Sequence, residues 1–318
     1  MNKLDQIPAL KDIRSTHEGI RKMIHRTPVM TCRSLDRISG ASLFFKCENF
    51  QKIGAFKMRG AASAAIRLSD EEKRNGLATH SSGNHAQAVA RAAQLLGIPA
   101  YIVMPIDAPS IKKAATEGYG ARIIFCSPTI ASRESTLEQV VEETGATFIH
   151  PYNDYNVIAG QATCAVELIE DTEALDIIMS PIGGGGLMSG TALSTHYLSP
   201  ETKVIGAEPK AVDDAYRSFH SGQIEDNAST DTIADGLRTT LGEKTFHIIR
   251  RHVDDVLTVG EADIVKAMRL IWERMKIIIE PSCAVPFAAV LTHKERFEGK
   301  KVGIILTGGN VDLSNLPF

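Results

Sequence analysis

The sequence predicts an α/β fold in two lobes, each a mostly parallel sheet covered by helices. Three observations carry that expectation. Short β-branched runs alternate with helical runs nearly from end to end. Several strand runs are apolar throughout, as sheets buried on both faces require. A chain of 318 residues is also long for one hydrophobic core.

SLFFKCE (42–48) reads as the first strand. LATH (77–80) follows a charged turn and feeds a helix over 84–97, where alanines and Val89 recur at helical spacing. AYIVMP (100–105) precedes a helix over 109–117, and ARIIFC (121–126) one over 131–143. A largely apolar helix spans 157–170 and leads to LDIIMSPI (175–182), followed by a helix over 186–197. KVIGAEP (203–209) and DVLTV (255–259) are further strands, with helices over 261–276 and 282–294 before the last strand, VGIILTGG (302–309). Charges and turn formers cluster in LSDEEKRNG near residue 70 and in HPYNDYN (150–156). They divide the chain into a large lobe, 1–70 with 153–318, and a small lobe, 71–152.

Hydrophobic residues make up 43% of the chain and charged ones 23%, with a net charge of −3. That balance argues against nucleic acid as the main partner, since a phosphate backbone calls for a concentrated basic face. No apolar run approaches a membrane span, and MNKLDQIPALKDIRS has no signal-peptide core, so neither a membrane nor secretion is expected. Cys32, Cys47, Cys126, Cys164 and Cys283 are scattered and odd in number, the pattern of reduced thiols in a cytoplasmic protein.

PIGGGGLMSG (181–190) joins a strand to a helix. Four glycines let the backbone take positive φ and approach a ligand, while the unpaired amides of the following helix face outward. The loop reads as a phosphate cradle, or more plainly as a tight turn. G-x-G-x-x-G fails, because Met188 and Ser189 stand at the third positions, and no Walker lysine follows. HSSGNHAQAVA (80–90) repeats the geometry with hydroxyls, which suits a carboxylate; an ordinary N-cap by Ser82 is the plainer alternative. Lys57 lies in the apolar stretch FQKIGAFKMRGA (50–61) between Gly54 and Gly60. An amine nucleophile, a phosphate site and a carboxylate site together match pyridoxal phosphate and an amino-acid substrate.

FQKIGAFKMRGA, SSGNHAQ, GGGGLMSG, GAEPKAVDDAY, TIADG, EPSCAVP and LTGGNVDL, in that order, resemble the fold-type II pyridoxal-phosphate family. The group concerned holds threonine dehydratases, serine racemases and hydroxyaspartate dehydratases, and the resemblance covers essentially the whole chain. It implies that the large lobe binds the cofactor and that Lys57 is the Schiff-base lysine. Phe56 would stack on the cofactor ring and Asn84 meet its hydroxyl. Gly183, Gly184, Gly185, Gly186 and the Leu187 amide would hold the phosphate, and Thr307 the pyridine nitrogen. A neutral hydroxyl there weakens the electron sink and favours β-elimination. An amine kept neutral by an apolar pocket can attack an aldehyde, which accounts for the surroundings of Lys57.

The resemblance also implies substrate contacts from Ser81, Ser82, His85, Arg133 and Thr239, with His150 and Tyr152 nearby. Ser82, where plain threonine dehydratases usually have alanine, is either a second acid/base group opposite Lys57 or a carboxylate ligand only. Arg133 favours a second carboxylate on the substrate, as in 3-hydroxyaspartate, or else is a structural arginine paired with Glu134. Glu208, the Val212 carbonyl and Asp214 would bind Mg²⁺, Mn²⁺ or Ca²⁺; without the family, those acids read as a solvated face. A homodimer is implied. The ending at Phe318 implies no regulatory extension, and Cys32-Arg33 replaces the serines through which animal serine racemases contact ATP. The expected activity is an ammonia-lyase of 3-hydroxyaspartate, with serine/threonine dehydration or serine racemisation as the alternative. A non-catalytic cofactor-binding protein is the alternative of a different class, and a nucleotide-binding fold fails on the glycine spacing.

Overall fold

A computed structural model describes residues 1–108 and 110–318, the side chains of residues 110–112 excepted. Among the described residues ten strands form two sheets: β1 (Val29–Met30), β2 (Ser42–Cys47), β3 (Leu77–His80), β4 (Ala100–Pro105), β5 (Arg122–Cys126), β6 (Thr147–Phe148), β7 (Ile177–Pro181), β8 (Lys203–Pro209), β9 (Asp255–Val259) and β10 (Lys301–Leu306). One sheet runs β1-β2-β10-β7-β8-β9 and the other β5-β4-β3-β6. Every pairing is parallel except that of the edge strand β1 with β2.

The eight expected strands are all present, within two or three residues at their ends. β1 and β6 are additional. The helix expected over 109–117 is Ser110–Gly118; Pro109 lies outside the described residues. LSDEEKRNG, read as a turn, contains the helix Asp70–Asn75. Ser69 and Glu72 form a capping box, with acids in its first turn and Lys73 and Arg74 in its last. The charges that suggested a boundary thus stabilise a short helix.

The main core packs β2, β7 and β10 against the helix Pro281–Thr292, where Phe45 meets Phe287 edge-on at 6.0 Å. Burial of each such side chain contributes roughly 1.5–3 kcal/mol. A second core covers β3 and β4 with the helices Lys57–Ala65 and Asn84–Leu96. Lys57–Ala65 also crosses Tyr155–Glu170, and the crossing is tight: a Cβ on Gly160 would lie 2.7 Å from Gly60 Cα. Among the described residues no helix is long and apolar enough to cross a membrane.

β2, β7 and β10 share one direction, with Leu306 level with Cys47. The segments that follow them therefore emerge at one edge, where parallel α/β sheets bind ligands. Those segments carry Lys57, the four glycines and Thr307.

Candidate active site

Lys57 is placed by backbone geometry. Ile53 and Gly54 take φ of 62° and 71°, and Ala55 then bridges Gly308. Phe56 N donates to Thr307 O at 2.9 Å, and Gly309 N to Gly54 O at 2.9 Å. These contacts bring Lys57 and Thr307 together from distant parts of the sequence. Lys57 Nζ donates to the Pro151 carbonyl at 2.8 Å and lies 5.3 Å from the Phe56 ring centre. Burial lowers its pKa to about 8, against the opposing charge of Glu280.

The glycine loop lies after β7. Gly185 has φ 85° and precedes the helix Gly186–Leu198. The amides of residues 183–188 donate no hydrogen bond among the described residues. A Cβ on Gly184 would overlap the Tyr152 ring, and one on Gly185 would lie 2.8 Å from Leu241 and Thr245. Side chains are thus excluded where free donors converge. Thr239 Oγ1 lies 3.4 Å from the position of a Cβ on Gly183, which brings this expected residue to the loop.

The second loop leaves β3 at His80. Its helix begins at Asn84 with Gly83 as the cap, so the N-cap reading of Ser82 is not met. Ser81 Oγ accepts from Gly83 N at 3.2 Å, and Ser82 Oγ makes no hydrogen bond among the described residues. Asn84 Nδ2 donates to both Glu280 oxygens, at 3.0 and 3.1 Å, while Asn84 Oδ1 accepts from Asn310 at 2.8 Å. Asn84 would therefore meet a ring hydroxyl by giving up, or sharing, one of its two N–H groups held by Glu280. His85 Nε2 lies 2.9 Å from the Ile149 carbonyl and must carry the proton there. Burial, chiefly, keeps its pKa well below the ordinary value. The neutral ring has only an acceptor, Nδ1, to offer, and that atom is buried without a partner. Donation to a carboxylate would come from the backbone amide of His85, not from the ring.

Thr307 is buried at the end of β10. Its hydroxyl donates to Cys283 Sγ at 3.4 Å, and that thiol bridges Gly308 through its carbonyl at 2.9 Å and its amide at 3.0 Å.

Arg133 lies on the helix Ile130–Thr144, and its charge reaches His80 beside the second loop. Among the described residues its side chain forms no hydrogen bond or ion pair, and its buried Nε has no partner. The pairing with Glu134 that a structural role would need is not present. His80, Phe148, His150 and Tyr152 follow one another in ring contact towards the glycine loop. His150 Nδ1 accepts from Tyr152 N and Asn153 N, and burial lowers its pKa to about 4, so it is neutral.

Glu208 ends β8 as a buried residue, not a solvated face, and Asp214 opens the next helix beside it. Glu208 accepts from the amides of Ala215 and Tyr216; Asp214 accepts from Asn227 Nδ2 at 2.8 Å and Leu241 N at 3.0 Å. Burial raises both carboxyls, Asp214 to about 6, and the charge of Asp214 adds to the rise in Glu208. The donors are neutral, so an oxygen-seeking divalent cation suits this pair, which Val212 precedes in the same turn.

Glu280 is the functional residue that sequence reasoning missed. It holds Asn84, faces Lys57, and lies 2.8 Å from the position of a Cβ on Gly308. Its signal was in EPSCAVP, where a glutamate before an N1 proline reads merely as a helix start. The free amides, the amine of low pKa, the Asn84 amide and the Thr307 hydroxyl together fit pyridoxal phosphate, with a carboxylate site beside it.

Comparison with known proteins agrees. The family described as pyridoxal-phosphate dependent enzyme matches residues 20–308. The chain is 51% identical over 312 residues to a beta-hydroxyaspartate dehydratase of Paracoccus denitrificans, covering 98% of this chain and 99% of that one. It is 49% identical to an L-threo-3-hydroxyaspartate ammonia-lyase of Saccharomyces cerevisiae, covering 96% and 93%. The crystal structure of serine racemase from Dictyostelium discoideum superposes with a TM-score of 0.92 at 50% identity, covering 96% and 99%.

Proposed function

Because the chain belongs to the pyridoxal-phosphate dependent enzyme family, we propose that it is an ammonia-lyase converting 3-hydroxyaspartate to oxaloacetate and ammonia. The observation that carries the substrate is Arg133, a cation beside the second loop without a partner among the described residues. A substrate with two carboxylates would supply one through a charge-assisted pair. The names of the two hydroxyaspartate relatives support the same choice.

Pyridoxal phosphate, when bound, supplies an aldehyde for an amine and a ring that draws electron density from the α-carbon. The amides of residues 183–188 would hold its phosphate, Asn84 its hydroxyl, and Thr307 its ring nitrogen. The Lys57 amine, neutral in a substantial fraction, removes the α-proton. The amides at the start of the helix Asn84–Leu96 bind the α-carboxylate, and Arg133 orients the distal one. Hydroxide leaves the β-carbon with a proton as water and gives the enamine, which takes up a proton at the β-carbon to become iminosuccinate, and water hydrolyses that to oxaloacetate and ammonia.

A second reading, racemisation of serine, rests on Ser82, whose hydroxyl has no hydrogen-bond partner among the described residues and so remains available as a proton carrier. We also assign a divalent cation, Mg²⁺ first, to Glu208, Asp214 and the Val212 carbonyl. The division into 1–70 with 153–318 and 71–152 stays part of the proposal, supported by the four-stranded sheet lying within 77–148. A cytoplasmic homodimer completes it.

The test is keto-acid release from the stereoisomers of 3-hydroxyaspartate, L- and D-serine and L-threonine, with and without Mg²⁺. Oxaloacetate from one hydroxyaspartate isomer, with threonine nearly inert, is expected. Rapid turnover of serine or threonine with hydroxyaspartate inert would overturn the substrate assignment.

A further inference from the structure

The carboxylate pair and the glycine loop are joined by consecutive hydrogen bonds. Asp214 Oδ2 accepts from Leu241 N at 3.0 Å. The next residue, Gly242, donates its amide to Thr245 Oγ1 at 3.0 Å. Thr245 Oγ1 lies 2.8 Å from the Gly184 carbonyl and 2.9 Å from the Gly242 carbonyl, and its one proton is shared between them. Thr245 is wholly buried, and its Cβ lies 2.8 Å from where a Cβ on Gly185 would sit. Ser189, in the first turn after the loop, donates to Thr245 O at 3.3 Å. Leu241 itself packs against Gly185. The segment 241–245 thus touches the carboxylate pair at one end and the phosphate cradle at the other.

We infer that Thr245 is a positioning residue that couples cation binding at Glu208 and Asp214 to retention of the cofactor phosphate by the glycine loop. The inference rests on the cation and cofactor assignments above. The two end contacts, Leu241 to Asp214 and Thr245 to Gly184, are buried and the middle one, Gly242 to Thr245, is part-buried, so a displacement of Leu241 has little slack in which to be absorbed. A cation drawing Asp214 towards Glu208 changes how Asp214 holds the Leu241 amide. Gly242 moves with Leu241, and the Gly184 carbonyl follows through Thr245. That carbonyl sets the peptide plane whose amide belongs to Gly185, one of the free donors of the cradle. Coupling of two sites through one free energy is reciprocal, so the cofactor must tighten cation binding by the same factor.

The experiment measures the equilibrium dissociation constant of pyridoxal phosphate from the holoenzyme by absorbance, in Mn²⁺ and in chelator, for wild type, Thr245→Val and Thr245→Ser. Mn²⁺ binding by electron paramagnetic resonance, with and without cofactor, gives the reverse leg. We expect cofactor affinity about fivefold or more tighter with Mn²⁺ than in chelator in wild type, and an equal factor in Mn²⁺ affinity with the cofactor bound. Thr245→Val, nearly isosteric, should bring both factors below about twofold, and Thr245→Ser should restore them. Circular dichroism and the melting temperature confirm that each variant is folded. Failure of Mn²⁺ to bind would sink the cation assignment and the inference together. Binding of Mn²⁺ with no change in cofactor retention would overturn the coupling alone. Persistence of the coupling in Thr245→Val would remove Thr245 from it.

Discussion

Lys57 Nζ is held at 2.8 Å from the Pro151 carbonyl, so the amine we propose as reactive is presented from one side by a neutral acceptor and not by a carboxylate. An ion pair there would hold the proton on; a carbonyl steers the group without that cost. Glu280 is the acid that acts on it, and its effect is smaller than that of burial.

The consequence is a pH profile. With a pKa of about 8, roughly a tenth of Lys57 is neutral at pH 7, against about one part in three thousand at the ordinary value. The rate at which apoenzyme captures pyridoxal phosphate should therefore rise about tenfold per pH unit up to pH 7 and level off above 8. Stability moves in a matching sense. Between pH 8 and 10.5 the unfolded chain keeps the Lys57 proton and the folded chain does not, so stability rises with pH across that window. Lys57→Ala should abolish capture and flatten that part of the urea-midpoint profile.

Gly184 and Gly83 form a contrast that separates space from sequence motif. A methyl at 184 collides with the Tyr152 ring, whereas one at 83 meets nothing within 4 Å. Gly184→Ala should cost about 1–3 kcal/mol by overpacking and release the cofactor on dialysis. Gly83→Ala should stay within about 0.5 kcal/mol of wild type and keep its absorbance. Denaturant titration and the visible spectrum decide both.

Much of this site was legible because it uses residues whose chemistry leaves few alternatives. Four glycines after an apolar strand, and a lysine among apolar neighbours, point to a phosphate and a reactive amine. The strands were legible because they are apolar on both faces and bounded by turn formers. β1 and β6, each two residues long, contain no period to read. The helix Lys57–Ala65 was hidden because it buries Arg59 and packs through Gly60, so no polar face alternates with an apolar one. Charge pairing is likewise silent in sequence. Lys46, Glu48, Arg59 and Glu167 are fully buried together, yet each alone reads as a surface residue. Glu280 and Thr245 acquire roles only once the fold brings distant segments to them.

That buried network carries its own prediction. Arg59 donates to Glu48 at 2.7 and 2.8 Å and to Glu167 at 2.7 and 2.9 Å, and Lys46 donates to Glu167 at 2.7 Å. Removing Arg59 takes the charged partner from the buried Glu48 and leaves Glu167 with Lys46 and His17 alone, so Arg59→Met should cost about 3–5 kcal/mol, read from urea midpoints at pH 7. Burial pushes the Glu167 carboxyl up, but hydrogen bonds from His17 and Arg59 and the charges of Arg59 and Lys46 win, holding it well below the usual range. The stability it contributes is therefore complete above pH 4.5 and lost as pH falls below it. Acid unfolding should begin at higher pH in Arg59→Met than in wild type.

Arg133 bears on substrate choice, and its test separates charge from geometry. A guanidinium offers two parallel donors to a carboxylate, whereas an ammonium offers a point charge. A hydrogen bond between charged groups contributes about 1.5–3 kcal/mol, which corresponds to roughly tenfold to 150-fold in kcat/KM. Arg133→Ala should therefore lose that factor for the hydroxyaspartate isomer that is turned over, and Arg133→Lys should recover only part of it. Serine, with no distal carboxylate, should change by less than about threefold, because among the described residues none pairs with Arg133. Keto-acid release from both substrates across the three proteins measures this. Equal losses on serine and hydroxyaspartate would make Arg133 a support of the second loop, and the preference for a second carboxylate would then have to come from Thr239 or the loop amides.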